Sequence, residues 1–193
     1  MGSAMIDVNN DGVDELFLAG GVTQEDALMS YNDGKFSKST MSLPAKPANT
    51  STFGAVSFDL DSDGNNDLIL AGDYGVLWYK NTGSGFEVKK IAVPLNEKSV
   101  ASSVTLGDID QDGDADMFVS AYIQLDKMEG QTIFKDFEYG GSSLLMVNNG
   151  DNTFSDKTAE YGLTYIHNTF CACLLYTSPS PRDQRGSRMP SSA

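Results

Sequence analysis

One histidine and two cysteines are all that the 193 residues offer in imidazole or thiolate metal ligands, and none of the three lies in an acidic cluster. Zinc and copper centres draw on such groups, so both metals are poor candidates here. The single His167 has no nucleophile or base partner at a telling spacing, and a lone histidine is a weak basis for acid–base catalysis. No catalytic residue is assigned. Basic residues are scarce as well: 13 Lys and Arg stand against 27 Asp and Glu, a formal net charge of −14. A chain this acidic repels phosphate, which argues against nucleic acid as a partner. No apolar run approaches the ~20 residues needed to span a bilayer, so no membrane insertion is expected of this chain.

The acids are concentrated. Asp59-Leu60-Asp61-Ser62-Asp63-Gly64-Asn65-Asn66-Asp67 holds four carboxylates in nine residues, and Asp108-Ile109-Asp110-Gln111-Asp112-Gly113-Asp114-Ala115-Asp116 repeats the pattern. Asp7-Val8-Asn9-Asn10-Asp11-Gly12-Val13-Asp14-Glu15 repeats it again, with Asn9 and Glu15 as variants. The three loops supply thirteen of the 27 acids. Crowding carboxylates into a turn is costly unless a cation sits among them. Short side chains at positions 1, 3 and 5 can converge on one point. The glycine at position 6 lets the backbone swing round at positive φ, and a carbonyl at position 7 with a carboxylate at position 9 can close the shell. Such a set of hard oxygens suits calcium.

The expected ligands are therefore Asp7, Asn9, Asp11, the Val13 carbonyl and Glu15 in the first loop. In the second they are Asp59, Asp61, Asp63, the Asn65 carbonyl and Asp67. In the third they are Asp108, Asp110, Asp112, the Asp114 carbonyl and Asp116. Asp14 should point outward. An EF-hand shares the first six positions but needs Glu at position 12 between two helices. Position 12 is Leu18, Leu70 and Val119, each inside a strand-like run, so the EF-hand is rejected. A single such cluster reads best as a solvated turn; three in register do not.

The loops start 52 and 49 residues apart. A period near 50 with short strands indicates a propeller or a similar array. Each unit carries an apolar stretch, the acidic loop, a strand, a third strand with aromatics (Val76-Leu77-Trp78-Tyr79) and an Asn/Gly turn ending in Phe. A fourth strand follows, as in Phe86–Ile91. Four antiparallel strands make one propeller blade, so the fold expected is all-β: an incomplete β-propeller of about three four-stranded blades.

Phe53-Gly54-Ala55, the three Asp-rich loops and the turns Asn32-Asp33-Gly34-Lys35-Phe36, Asn81–Phe86 and Asn148–Phe154 together resemble the FG-GAP/VCBS family. Its integrin α-subunit members are β-propellers with calcium loops between the first two strands of certain blades. Thr153–Leu163 resembles more narrowly the VCBS/ASPIC-UnbV type. The resemblance covers about residues 2–172. It implies a calcium-dependent module in a secreted, periplasmic or cell-surface setting, where calcium saturates even sites of ~10⁻⁴–10⁻³ M. Asn9 and Glu15 depart from the family's loop, and the third unit lacks the Phe-Gly pair.

The expected blades are about 2–51, 52–100 and 101–167, with the start of a fourth at 168–172. Asn168-Thr169-Phe170-Cys171-Ala172 matches Ser51-Thr52-Phe53-Gly54-Ala55, but no acidic loop follows. Residues 173–193 instead resemble the in-frame translation of sequencing adapters and are expected to be non-native and unpacked. Both ends are expected to be cut from a longer protein. The third unit also carries an insertion around Gln124–Ser143, a surface-loop candidate. Two functions follow as expectations. The first is a calcium-stabilised propeller that binds a protein or glycan through its loops. The second is an accessory or catalytic propeller of a secreted polysaccharide-active enzyme.

Overall fold

The computed structural model describes residues 2–97, 99–123 and 140–174. Most of the insertion expected at Gln124–Ser143, and the adapter-like tail beyond residue 174, lie outside them. Among the described residues there is no helix, and twelve strands form three separate four-stranded sheets. The first holds β1 (Ser3–Ile6), β2 (Glu15–Leu18), β3 (Ala27–Asn32) and β4 (Lys35–Lys38). The second holds β5 (Thr52–Phe58), β6 (Asp67–Gly72), β7 (Gly75–Asn81) and β8 (Phe86–Ile91). The third holds β9 (Ser99–Gly107), β10 (Asp116–Ile123), β11 (Leu144–Asn148) and β12 (Phe154–Asp156). Every sheet is an antiparallel meander with its strands in chain order. The architecture is that of an incomplete β-propeller.

Local chemistry sets the meander. The link from β3 to β4 is the pair Asp33-Gly34, with φ of 51° and 78°, the doubly positive turn that matches strand twist in a two-residue hairpin. The acidic loops connect the first two strands of each sheet, so all three occupy the same place in the repeat.

Apolar packing joins the sheets. β6 reads Leu68-Ile69-Leu70-Ala71 without alternation because both of its faces are covered. Leu68 and Leu70 pack with Ile6, Val8, Phe17 and Leu28 of the first unit. Ile69 and Ala71 pack with Ala101, Met117, Val119 and Met146 of the third sheet. β7 divides in the same way, with Leu77 and Tyr79 on one side and Val76 and Trp78 on the other.

The first strands of successive sheets approach closely. A Cβ on Gly2 would lie 2.8 Å from the Phe53 carbonyl oxygen, and one on Gly54 would lie 2.8 Å from both the Ser102 oxygen and the Ser103 Cα. Glycine at this repeat position therefore serves inter-sheet contact, with no positive φ involved. Residues 168–172 form no named strand. They run beside the third sheet, where the Thr169 N–H donates to the Ala121 carbonyl (3.0 Å) and Ser102 Oγ donates to the Thr169 carbonyl (2.6 Å). The Phe170 ring lies tilted against that of Tyr122, with centroids 4.6 Å apart.

Candidate metal centre

The three loops share one internal wiring. The carboxylate at position 1 accepts the N–H groups of positions 5 and 6: Asp7 from Asp11 and Gly12, Asp59 from Asp63 and Gly64, Asp108 from Asp112 and Gly113, at 2.8–3.2 Å. The position-5 carboxylate accepts the N–H of position 7: Asp11 from Val13, Asp63 from Asn65 and Asp112 from Asp114, at 2.8–2.9 Å. These bonds close the turn, which takes positive φ at Gly12, Gly64 and Gly113 (84°, 90° and 99°). Position 4 is also left-handed, at Asn10, Ser62 and Gln111 (56°, 57° and 65°). Asparagine visits that region readily; serine and glutamine do so at a cost.

Position 9 anchors each loop to its sheet. Glu15, Asp67 and Asp116 are buried, and each accepts the N–H of position 2, from Val8 (3.2 Å), Leu60 (3.2 Å) and Ile109 (2.7 Å). The position-2 side chains Val8 and Leu60 are themselves core residues. The backbone N–H of Asn81 donates to Asp67 at 2.7 Å, and that of Asn148 to Asp116 at 2.9 Å. Trp78 Nε1 adds a third donor to Asp67 at 2.9 Å. Burial nevertheless pushes the Asp67 carboxyl above its ordinary range, and the charge of Asp61 adds to the push.

One ligand oxygen from each of Asp59, Asp61 and Asp67 lies within 4.8 Å of the others, and the same holds for Asp108, Asp110 and Asp116. The first loop gathers no such carboxylate triple among the described residues. There Asn9 turns its amide nitrogen onto Asp11 (3.0 Å), and Glu15 reaches across to Ser30, whose Oγ donates at 3.3 Å. Asp14 is exposed. Asp63 and Asp112 stand outside the two triples.

Both triples fit a hard divalent cation. Asp61 Oδ1 is buried and accepts no hydrogen bond, a costly state for a carboxylate oxygen unless a cation meets it. The Asp110 carboxyl is pushed up by desolvation and by the charges of Asp116, Asp112 and Asp108. The donors are all oxygen, and the position-9 carboxylates are fixed by N–H groups that leave lone pairs for a metal.

A model of the FG-GAP-like repeat family matches residues 7–68 and, overlapping them, residues 59–119. The two matches span more than half of the chain. This chain belongs to the FG-GAP-like repeat family. The matched pieces begin at the first residue of the first and second acidic loops and end inside the strands after the second and third. The repeat unit is thus carried by the loop and the meander it opens. No curated protein matches the chain.

Two features of the FG-GAP-like loops escape a reading of spacing. Asn81 and Asn148 do more than make turns. Asn81 Nδ2 holds the carbonyls of Asn66 (3.2 Å) and Val8 (3.1 Å), and Asn148 Nδ2 holds that of Ala115 (3.3 Å). Asn32 is not their counterpart. Asn81 pairs with Phe86 and Asn148 with Phe154, but Phe36 pairs with Tyr31, so the first sheet has lost this amide. The second feature is Lys80, whose ammonium reaches both Asp61 and Asp63, the latter at 2.7 Å. Its only sequence signal is a basic residue next to the turn, where the third sheet has Val147.

Proposed function

We propose that this protein is a calcium-stabilised propeller module, one ion per acidic loop, that presents its loops to a protein or glycan partner outside the cytoplasm. The proposed ligands are the side chains of positions 1, 3, 5 and 9 and the carbonyls of Val13, Asn65 and Asp114. The observation that carries the reading is the orphaned Asp61 Oδ1 inside the Asp59–Asp61–Asp67 triple, a group whose burial makes sense with a cation beside it. Family membership supports a propeller setting for that site. The net charge of −14 leaves the loops as the natural place for a divalent ion to act, and millimolar extracellular calcium would fill even weak sites of this type.

In this reading calcium is a structural element. It cancels the repulsion within each loop and locks the first two strands of each sheet together. The test is thermal unfolding in calcium and in chelator. The reading expects a clear fall in melting temperature on chelation, and Asp110→Asn should shrink that fall. An equal melt with and without calcium would count against it.

A further inference from the structure

Lys80 makes the three loops unequal. It lies opposite Asp67 by continuation of the β6–β7 register, and its side chain extends across the mouth of the second loop. The ammonium bonds Asp61 and Asp63 together. In the third loop the residue at the matching place is Val147 and in the first it is Ser30, so neither loop has a cation of its own there.

We propose that Lys80 is a tethered cation that lowers the calcium affinity of the second loop and keeps that loop folded when calcium is absent. The proposal rests on the calcium reading above. Its physical basis is simple. The second and third loops have the same residue types at positions 1, 3, 5 and 9, yet among the described residues only the second has a positive charge on two of those carboxylates. A divalent ion entering there either displaces the ammonium or is repelled by it, and both effects weaken binding. The same ammonium relieves the carboxylate repulsion that the metal-free third loop must bear. The second loop sits between two packed seams, with Leu60 in one core and Asn65 hydrogen-bonded to Asn10 of the first loop at 2.7 Å. A loop in that position that tolerates loss of metal keeps both seams intact. Asp61 also lines a cleft of about 440 Å³ beside Trp78 and Lys89, which gives the ion a route in.

The experiment uses a built-in reporter. Trp78 is the only tryptophan, and its Nε1 lies 2.9 Å from Asp67 Oδ2. Terbium, a calcium surrogate, excited through tryptophan therefore reports chiefly the second loop, and Asp61→Asn should remove that signal. Total calcium uptake is followed in parallel by calorimetry. In the unmodified chain the tryptophan-sensitised signal should saturate after most calcium has been taken up. Lys80→Met should move its midpoint about tenfold lower, the size expected for two partly exposed ion pairs. The same variant should melt lower than the parent in chelator. Affinity and metal-free stability thus move in opposite directions, which a merely supporting side chain would not produce. If Lys80→Met does not fold, Lys80→Gln carries the same expectation. A midpoint that stays put or moves to higher concentration overturns this proposal alone. No uptake by any loop overturns the calcium reading and this proposal with it.

Discussion

The side-chain amide of Asn81 donates to the carbonyl of Val8 at 3.1 Å, across 73 residues of chain. It ties the third strand of the second sheet to the second residue of the first acidic loop. The same nitrogen holds the Asn66 carbonyl of its own loop. Asn81 is fully buried, and so is Val8.

Asn81→Ala should therefore destabilise the protein by about 1–3 kcal/mol, the cost of leaving a buried acceptor, the Val8 carbonyl, unpaired. Urea denaturation measures it. The equivalent change at Asn32, which pairs with Lys35 at the exposed end of its hairpin, should cost far less. Equal losses at the two positions would contradict the role assigned to Asn81.

Gly54 tests the inter-sheet contact. A methyl group there meets backbone of the third sheet at 2.8 Å, and backbone cannot step aside as a side chain can. Gly54→Ala should cost roughly 1–3 kcal/mol by overpacking. Gly85→Ala is the control, because a Cβ there meets nothing within 4 Å and the backbone is not at positive φ. It should be neutral in the same denaturation experiment.

Much of this was legible in the sequence. The loops, the strands after them and the all-β class follow from local rules: alternating Asp, a glycine at position 6, and short β-branched or aromatic runs. The first loop, which departs from the pattern at Asn9 and Glu15, gathers no carboxylate triple among the described residues. Residues whose role depends on contact between distant segments were not legible. Lys80 and Asn81 look like the end of a strand, and the third unit's first strand begins at Ser99, ahead of its apolar stretch Val104-Thr105-Leu106. Gly54 was visible as part of a motif, but the reason for it lies in Ser102 and Ser103, about fifty residues later.

Lys46 is a further case hidden from spacing. Its ammonium is buried and donates to the carbonyls of Gly20, Gly21 and Gln24 at 2.9 Å each, beside Asp26 at 3.4 Å. It fastens the segment between the first two sheets to the loop after β2. Lys46→Met leaves Asp26 and three carbonyls without their cation and should cost about 3–5 kcal/mol. Adding Asp26→Asn should recover part of that loss, as a double-mutant cycle would register. Additive losses would show that the two groups do not interact.

Alkaline pH should unfold the protein through the seam between the first two sheets. Burial pushes the Tyr79 hydroxyl up to about 12 and raises that of Tyr74 as well. The folded state thus holds these protons more tightly than the unfolded chain, whose tyrosines titrate near 10. Their contribution is intact below pH ~10 and is lost as pH climbs from there towards the folded-state values. The slope is about 1.4 kcal/mol per pH unit for each tyrosine. Urea midpoints across this range should fall for the parent and flatten for the double variant Tyr74→Phe, Tyr79→Phe. A parent curve as flat as the variant's would contradict the assignment.

The central claim is that the acidic loops are calcium sites, and isothermal titration of the metal-free protein with calcium tests it most directly. The account predicts uptake that approaches one ion per loop, with the third loop filling ahead of the second. Binding to the folded state alone should then add about 2.7 kcal/mol of stability at a hundredfold excess over Kd. A folded protein that takes up no calcium at millimolar concentration would contradict the account.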